Sequence, residues 1–399
     1  MIHNFKVENF YSIYNEQELD FTSSKQYGNS ATPYNNYFVS NVNCFVGANA
    51  SGKTNIFKAL SFLVWYTEDS FYDITDSSAQ IFDAHKLHED EPTKFTVIFD
   101  SNKKLYRYYL EFLKGQLTKE ILEIESQKGF SYIYKLTQNE GNIDILYNRN
   151  NKILDKINSN EEKRFKSKGN VTFFSFLRGT GYLKQIDLEG ISQDSFSNVS
   201  NIGLRSYDNY SESIFLSKIL DEEAKQILLP YIQCFDFGIT DFDKPFTLQF
   251  KDGEEEKIIG FKHSNGEKQF TLSAFDESAG TIKGAYLTLL LLKLLNSGGV
   301  AIVDELDVRL HYDIARKLVS LFSNKETNPQ NAQLFFSSHQ PLFLNDRDKK
   351  QIFLCAKDDY INTEIYRLDD VEGVRNTENF FENYLAGSYG ATPRIGDCI

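Results

Sequence analysis

The sequence predicts an α/β fold: a mixed central sheet with helices packed on it, an antiparallel β meander and a mainly helical insertion. Three observations predict it. Short apolar runs alternate with segments of helical spacing in the last third of the chain, the pattern of a mostly parallel sheet covered by helices. Five segments of two-residue alternation follow one another between Lys94 and Leu146, as in a meander. The stretch Asn148–Phe242 shows neither pattern cleanly; it reads as an insertion with its own role, helical around Ser211–Ile232.

Taken in order, Ile2–Phe10 carries Ile2, Phe5, Val7 and Phe10 as its apolar positions and reads as a strand, with a second edge segment at Leu19–Phe21. Asn43–Val46 is a short apolar run that ends in Gly47, as a buried strand feeding a turn does. Beyond the turn, Asn55–Trp65 places Ile56, Ala59, Leu60, Leu63 and Val64 at helical spacing. The meander follows as FTVIF, LYRYYLEF, EILEIE, YIYKL and IDILY, separated by turn residues such as Asp100–Asn102 and Lys128–Gly129. After the insertion, Glu256–Phe261 and Gln269–Leu272 form a hairpin around Asn265–Gly266. Ile282–Leu295 is a strongly apolar helix, Val300–Val303 a buried strand and Ile314–Phe322 a helix, followed by strands Gln333–Ser337 and Gln351–Leu354.

Composition narrows the function classes. A net charge of -13 argues against coating nucleic acid by electrostatics alone. Two local basic clusters remain, Lys103, Lys104 and Arg107, and Lys163, Arg164, Lys166 and Lys168. Cys44, Cys234, Cys355 and Cys398 show neither CxxC spacing nor a His-rich partner run, and read as reduced thiols without a zinc site. The longest apolar run, Leu287–Leu295, is interrupted by Thr288 and Lys293 and is too short to span a bilayer. A cytoplasmic protein with no membrane partner is expected.

Four segments carry chemistry. Gly47-Ala48-Asn49-Ala50-Ser51-Gly52-Lys53-Thr54 satisfies GxxxxGK[ST], between a strand and a helix. Its glycines let successive N–H groups point inward at phosphate oxygens, and the helix start adds its positive dipole end. Lys53 is placed for the β- and γ-phosphates of ATP and Thr54 for Mg²⁺. Later, Ala301-Ile302-Val303 ends in Asp304 and Glu305. Alone, such a pair is usually a cap or a surface feature; paired with the loop, Asp304 suits the metal and Glu305 the attacking water. Leu334-Phe335-Phe336-Ser337-Ser338 brings His339 to the end of the next strand, where it can sense a γ-phosphate. Asp276-Glu277-Ser278-Ala279-Gly280-Thr281 precedes the apolar helix. It reads either as an ordinary N-cap or as an anion site whose anion belongs to another chain.

In this order FVGANASGKTN, ESAGT, VAIVDELD and FFSSH resemble the ATPase heads of the ABC superfamily, in the SMC/RecF/OLD branch. The opening IHNFKVENFYSI and the closing ENYLAGSYGATPRI are similar to the AAA-labelled, ABC-type ATPases of bacterial abortive-infection and restriction-linked operons. These are of the AbiLi and RloA kind, with the ATPase of the PARIS defence pair. The resemblance covers roughly residues 1–110 and 240–395. It implies an ABC-type P-loop ATPase head with an N-terminal lobe over 1–147, an insertion over 148–242 and a C-terminal lobe over 243–399.

It further implies that Gly47, Asn49, Ala50, Ser51, Gly52, Lys53, Thr54 and Asn55 hold ATP, that Thr54 and Asp304 hold Mg²⁺, and that Glu305 and His339 serve hydrolysis. In such families two heads close on nucleotide, so Ser278 and Gly280 would face the γ-phosphate of the partner chain and Asp307 would lie at the seam. ESAGT departs from the transporter consensus LSGGQ but keeps its Ser-x-Gly core, and Gln80 is a candidate Mg²⁺-contacting glutamine by position only. The expected function is an ATP-driven switch or sensor that forms a homodimer or higher homo-oligomer. It would act on an effector encoded nearby, a nuclease toxin, in anti-phage defence. The alternative is a DNA-clamping ATPase of repair or DNA ends. An appended nuclease domain of the OLD kind is not expected in the residues after Leu354.

Overall fold

The computed structural model describes residues 1–399 except 27–29, 69, 75–80, 140–141, 149–152, 184–194, 200–208, 237, 250–254 and 394–399. Gln80, the candidate for a metal-contacting glutamine, lies outside the described residues.

The centre is a six-stranded sheet in the order Phe196–Ser197, Val300–Val303, Gln333–Ser337, Val42–Gly47, Ile352–Lys357 and Thr363–Arg367. Every pairing is parallel except the last. Val42–Val46, Val300–Val303 and Gln333–Ser337 are buried at every position, which is why they read as mainly apolar runs rather than alternating ones, with Asn43, Gln333 and Ser337 as their buried polar members. The two faces nevertheless have different partners. Phe45, Ile302, Phe335 and Phe353 point to one side, while Cys44, Val46, Ala301, Val303, Leu334 and Phe336 point to the other, as strand periodicity requires.

On the first side lies the helix Lys53–Glu68, with Ile56, Phe57, Leu60, Phe62 and Leu63 in the same core. Over it lies a seven-stranded antiparallel sheet ordered Asn142–Tyr147, Gly129–Asn139, Gln116–Ser126, Lys104–Leu113, Thr93–Ser101, Ile2–Glu8 and Gln17–Asp20. The expected meander thus joins the N-terminal strand to form a single layer. On the second side, the helix Ala279–Ser297 gives Leu287, Leu291 and Leu294 to the central sheet. Its other stripe, Ile282, Ala285 and Leu289, faces a three-stranded antiparallel sheet of Ile239–Gln249, Glu255–Ser264 and Gln269–Ser273.

The described parts of 148–242 pack against both cores. Phe165 and Phe173 from helices Ser159–Lys166 and Phe173–Gly179 join the first. There the buried Glu120 accepts from the N–H groups of Phe173 (2.7 Å) and Phe174 (2.9 Å) and from the hydroxyls of Tyr108 and Tyr134. The helix expected around Ser211–Ile232 is two helices, Asn209–Ile219 and Glu222–Phe235. Asp221 caps the second by accepting from the Ala224 N–H at 2.8 Å, a side chain that favours a helix start over a helix interior. Other boundaries move by a few residues. The strand expected from Gln351 begins at Ile352, because Gln351 completes a capping box with Asp348. No described helix is long and apolar enough to cross a membrane.

Candidate functional site: a cleft at the carboxyl ends of the parallel strands

Parallel register determines where the chemistry meets. Val303 is level with Phe336, and Phe336 with Cys44. Three strands therefore end side by side, at Gly47, Asp304 and Ser338, and ligands of open α/β sheets bind at that edge. The turn after Gly47 is tight. A Cβ on Gly47 would collide with the Cys355 carbonyl, and one on Gly52 (φ +108°) with the Thr363 hydroxyl. Ala50 also takes a left-handed φ of +62°.

Lys53 opens the helix and folds back across the loop. Its ammonium donates to the carbonyls of Gly47 (2.8 Å) and Ala48 (2.9 Å). Burial lowers its pKa, against the opposing pull of Asp304 and Glu305. The Ser51 hydroxyl is buried and has no hydrogen-bond partner among the described residues. A polar atom in that state is costly unless a ligand or water satisfies it.

Asp304 is held from three directions. Thr54 donates its hydroxyl to one carboxylate oxygen at 2.7 Å, and Ser337 donates to the other. Its backbone is bracketed by Asn198, which accepts from the Asp304 N–H at 2.7 Å and donates to its carbonyl at 2.8 Å. Glu305 has a left-handed φ of +51°, and its N–H donates to the Ser337 hydroxyl at 2.7 Å. That backbone turn leaves its carboxylate half exposed, 3.4 Å from His339 Nε2. His339 is anchored through its N–H to the Asp307 carboxylate at 3.2 Å.

Together these groups enclose a cleft of about 450 Å³ lined by Asn49–Asn55, Asp304, Glu305 and His339, with Ser12 and Lys357. Gly47 and Ala48 face an adjoining cavity of about 400 Å³ that shares Asn49 and His339. The cleft is the size of a small-molecule site. Thr54 Oγ1 and Asp304 Oδ2 are two adjacent oxygens of the hard kind that Mg²⁺ prefers; the ion keeps most of its waters in such sites. The inward loop, the orphaned Ser51 hydroxyl and this oxygen pair fit a magnesium-bound nucleoside triphosphate.

Ser278 and Gly280 do not line the cleft. Ser278 caps the helix Ala279–Ser297, accepting from the Thr281 N–H at 3.0 Å. A Cβ on Gly280 would lie 2.8 Å from the Arg309 carbonyl. The structure therefore groups the loop, the acidic pair and His339, and leaves Ser278 and Gly280 elsewhere.

Sequence reasoning missed several residues. Asn198 follows a two-residue strand inside the stretch without readable pattern, so no local signal marked it. Ser12, Thr363 and Lys357 form a polar chain beside the loop: Ser12 Oγ is 2.7 Å from Thr363 Oγ1, which also accepts from Lys357 at 3.1 Å. Thr363 donates to the Ser51 carbonyl at 3.0 Å, and Asn55 donates to Ser12 at 2.7 Å.

Comparison with known proteins adds to this geometry. An SMC head domain from Thermotoga maritima aligns at 12% identity over 92% of this chain and 98% of its own, with a TM-score of 0.43. An SMC head bound to the C-winged helix domain of ScpA aligns at 12% identity over 92% and 96%, with a TM-score of 0.44. No curated protein matches the chain. A family model described as "AAA domain, putative AbiEii toxin, Type IV TA system" matches residues 42–345, which include the phosphate loop, the acidic pair and His339. The chain belongs to that family of AAA-domain proteins.

Proposed function

We propose that this chain binds magnesium-ATP in the cleft and hydrolyses it, as an ATP-dependent switch whose two heads close on nucleotide. Supporting this above all is the convergence of Lys53, the Thr54–Asp304 pair and the Glu305–His339 pair at one sheet edge. Lys53 exchanges the Gly47 and Ala48 carbonyls for phosphate oxygens. A bound Mg²⁺ would supply charge neutralisation at the phosphates. Glu305 takes a proton from water as the water oxygen bonds to the γ-phosphorus and the bond to ADP breaks. His339, 3.4 Å from Glu305, orients that carboxylate and reads the γ-phosphate.

Ser278 and Gly280 then serve the other chain's nucleotide, and Asp307, already tied to His339, lies at the seam. Closure would set the population of a signalling-competent dimer or larger homo-oligomer. The family description names a toxin–antitoxin system, and with it a defence role through a protein effector, a nuclease, is the reading we favour. Clamping of DNA has weaker support, because the basic clusters are partly neutralised. Arg107 pairs with Glu123, Arg164 with Glu161 and Lys166 with Glu162.

Purified protein tests the reading by ATP turnover and by oligomer size with and without ATP. Phosphate release, with a shift to dimer when Glu305 is changed to Gln, is expected. An absence of both nucleotide binding and size change would remove the proposal, whereas salt-sensitive retention on duplex DNA would favour the clamp.

A further inference from the structure

Lys283 sits five residues beyond the capping Ser278, in the helix Ala279–Ser297. Its side chain is buried, with 7% exposure, and it forms no ion pair among the described residues. Its ammonium donates instead to two carbonyls of one loop, Glu305 at 3.1 Å and Val308 at 2.6 Å. Burial lowers its pKa, while Glu212 and Asp307 act on it in the opposite direction. A charge held in such a place is costly to desolvate, and apolar residues would pack the helix to the sheet equally well.

The loop it grips has unusual backbone needs. Glu305 and Arg309 both take left-handed φ values, +51° and +66°, which a side-chain-bearing residue keeps only when its surroundings hold it there. Glu305 is held at its N–H by Ser337 and at its carbonyl by Lys283 and the Val308 N–H. The same helix end meets the loop a second time, where Gly280 packs on the Arg309 carbonyl. Its contact with Glu305 is thus specific and two-sided.

We propose that Lys283 is a positioning residue for hydrolysis: from the helix that bears Ser278 it fixes the backbone of Glu305, so that the seating of that helix sets the aim of the base. This rests on reading Glu305 as the group that activates water. Because Ser278 would touch nucleotide on the other chain, Lys283 links the closure of one site to the base of its neighbour.

The test compares the parent, Lys283→Met, Glu305→Gln and the double variant, by steady-state and single-turnover ATP hydrolysis and by ATP affinity from calorimetry. A Lys283→Met protein should lose about 10- to 100-fold in kcat with ATP affinity within about twofold of the parent, since misplacing a catalytic group without removing it has that scale of cost. In the double variant the single-turnover rate should match that of Glu305→Gln alone, because Lys283 acts through Glu305. Parental kcat in Lys283→Met, ATP affinity lost in step with kcat, or a further loss in the double variant would each overturn the proposal. A parent that binds ATP but turns none over would remove the role of Glu305, and this inference with it. A parental Glu305→Gln would do the same.

Discussion

The phosphate loop and the segment around Ser278 differ in how their polar groups are held. Around the phosphate loop, the charged and hydroxyl groups are already held in place, Lys53 on the loop carbonyls, Thr54 on Asp304, Ser337 on both Asp304 and Glu305, while the buried Ser51 hydroxyl is left without a partner among the described residues. Around Ser278, the side-chain oxygen serves its own helix, through the Thr281 N–H and hydroxyl, and that hydroxyl passes on to Asp236 at 3.0 Å. The first region is a preorganised cleft. The second is a capped helix end in which Ser278 itself makes no contact with the cleft of its own chain. Under the proposed function, the second region of one copy would complete the first region of another.

Four substitutions probe that contrast. The largest effect is expected for Glu305→Gln, which removes the base and leaves the fold. Turnover should fall about 10²- to 10⁴-fold while ATP binding persists, and sizing in ATP should show accumulated dimer. Equal phosphate release from variant and parent would show that Glu305 is not the base.

Next comes Ser278→Arg, which puts a long cation where the partner's nucleotide would close. Turnover should fall about 10²- to 10³-fold, the scale for losing a donor to developing charge. ATP affinity measured at concentrations that keep the chain monomeric should be unchanged. The lost cap should lower stability by only about 1 kcal/mol, readable in urea titration. Normal turnover would mean that each chain works alone.

For Lys53→Ala the prediction concerns affinity. Losing one ammonium from charged phosphates costs about 1.5–3 kcal/mol, so calorimetry should report binding weaker by roughly 10- to 100-fold. Binding at parental strength would exclude the loop as the phosphate cradle. Asn198→Ala should be mildest, a loss of about 3- to 10-fold in kcat, because it removes two neutral hydrogen bonds from the Asp304 backbone. Should its kcat be parental, the Asn198 bracket does not position Asp304.

Much of the phosphate-loop region was legible in the sequence because each strand there is short, mainly apolar and leads into its functional residue. Val42–Gly47 ends at Gly47, Val303 leads into Asp304, and Ser338 into His339. Buried parallel strands present their chemistry to ligand at their ends, so pattern and function coincide. The meander was legible for a different reason, its clean alternation over Thr93–Tyr147. What could not be read depends on long-range pairing. Phe196–Ser197 is a strand only because it sits beside Ala301–Ile302, and without that pairing Asn198 has no reason to be near Asp304. The Ser12–Thr363 contact joins opposite ends of the chain. The left-handed backbone of Glu305 is likewise held by Ser337 and Lys283 from outside its own segment. Neither propensity nor spacing encodes such contacts.

A mixing experiment tests the shared site most directly. Lys53→Ala chains retain Ser278, and Ser278→Arg chains retain the phosphate loop, so a mixed dimer holds one complete site and one doubly damaged one. With random pairing, and with ATP held at a concentration that saturates the parent but not Lys53→Ala, equal amounts of the two weakly active proteins should recover about a quarter of the parental turnover per chain, as follows from two-fold symmetry. A mixture no more active than its components would contradict the account.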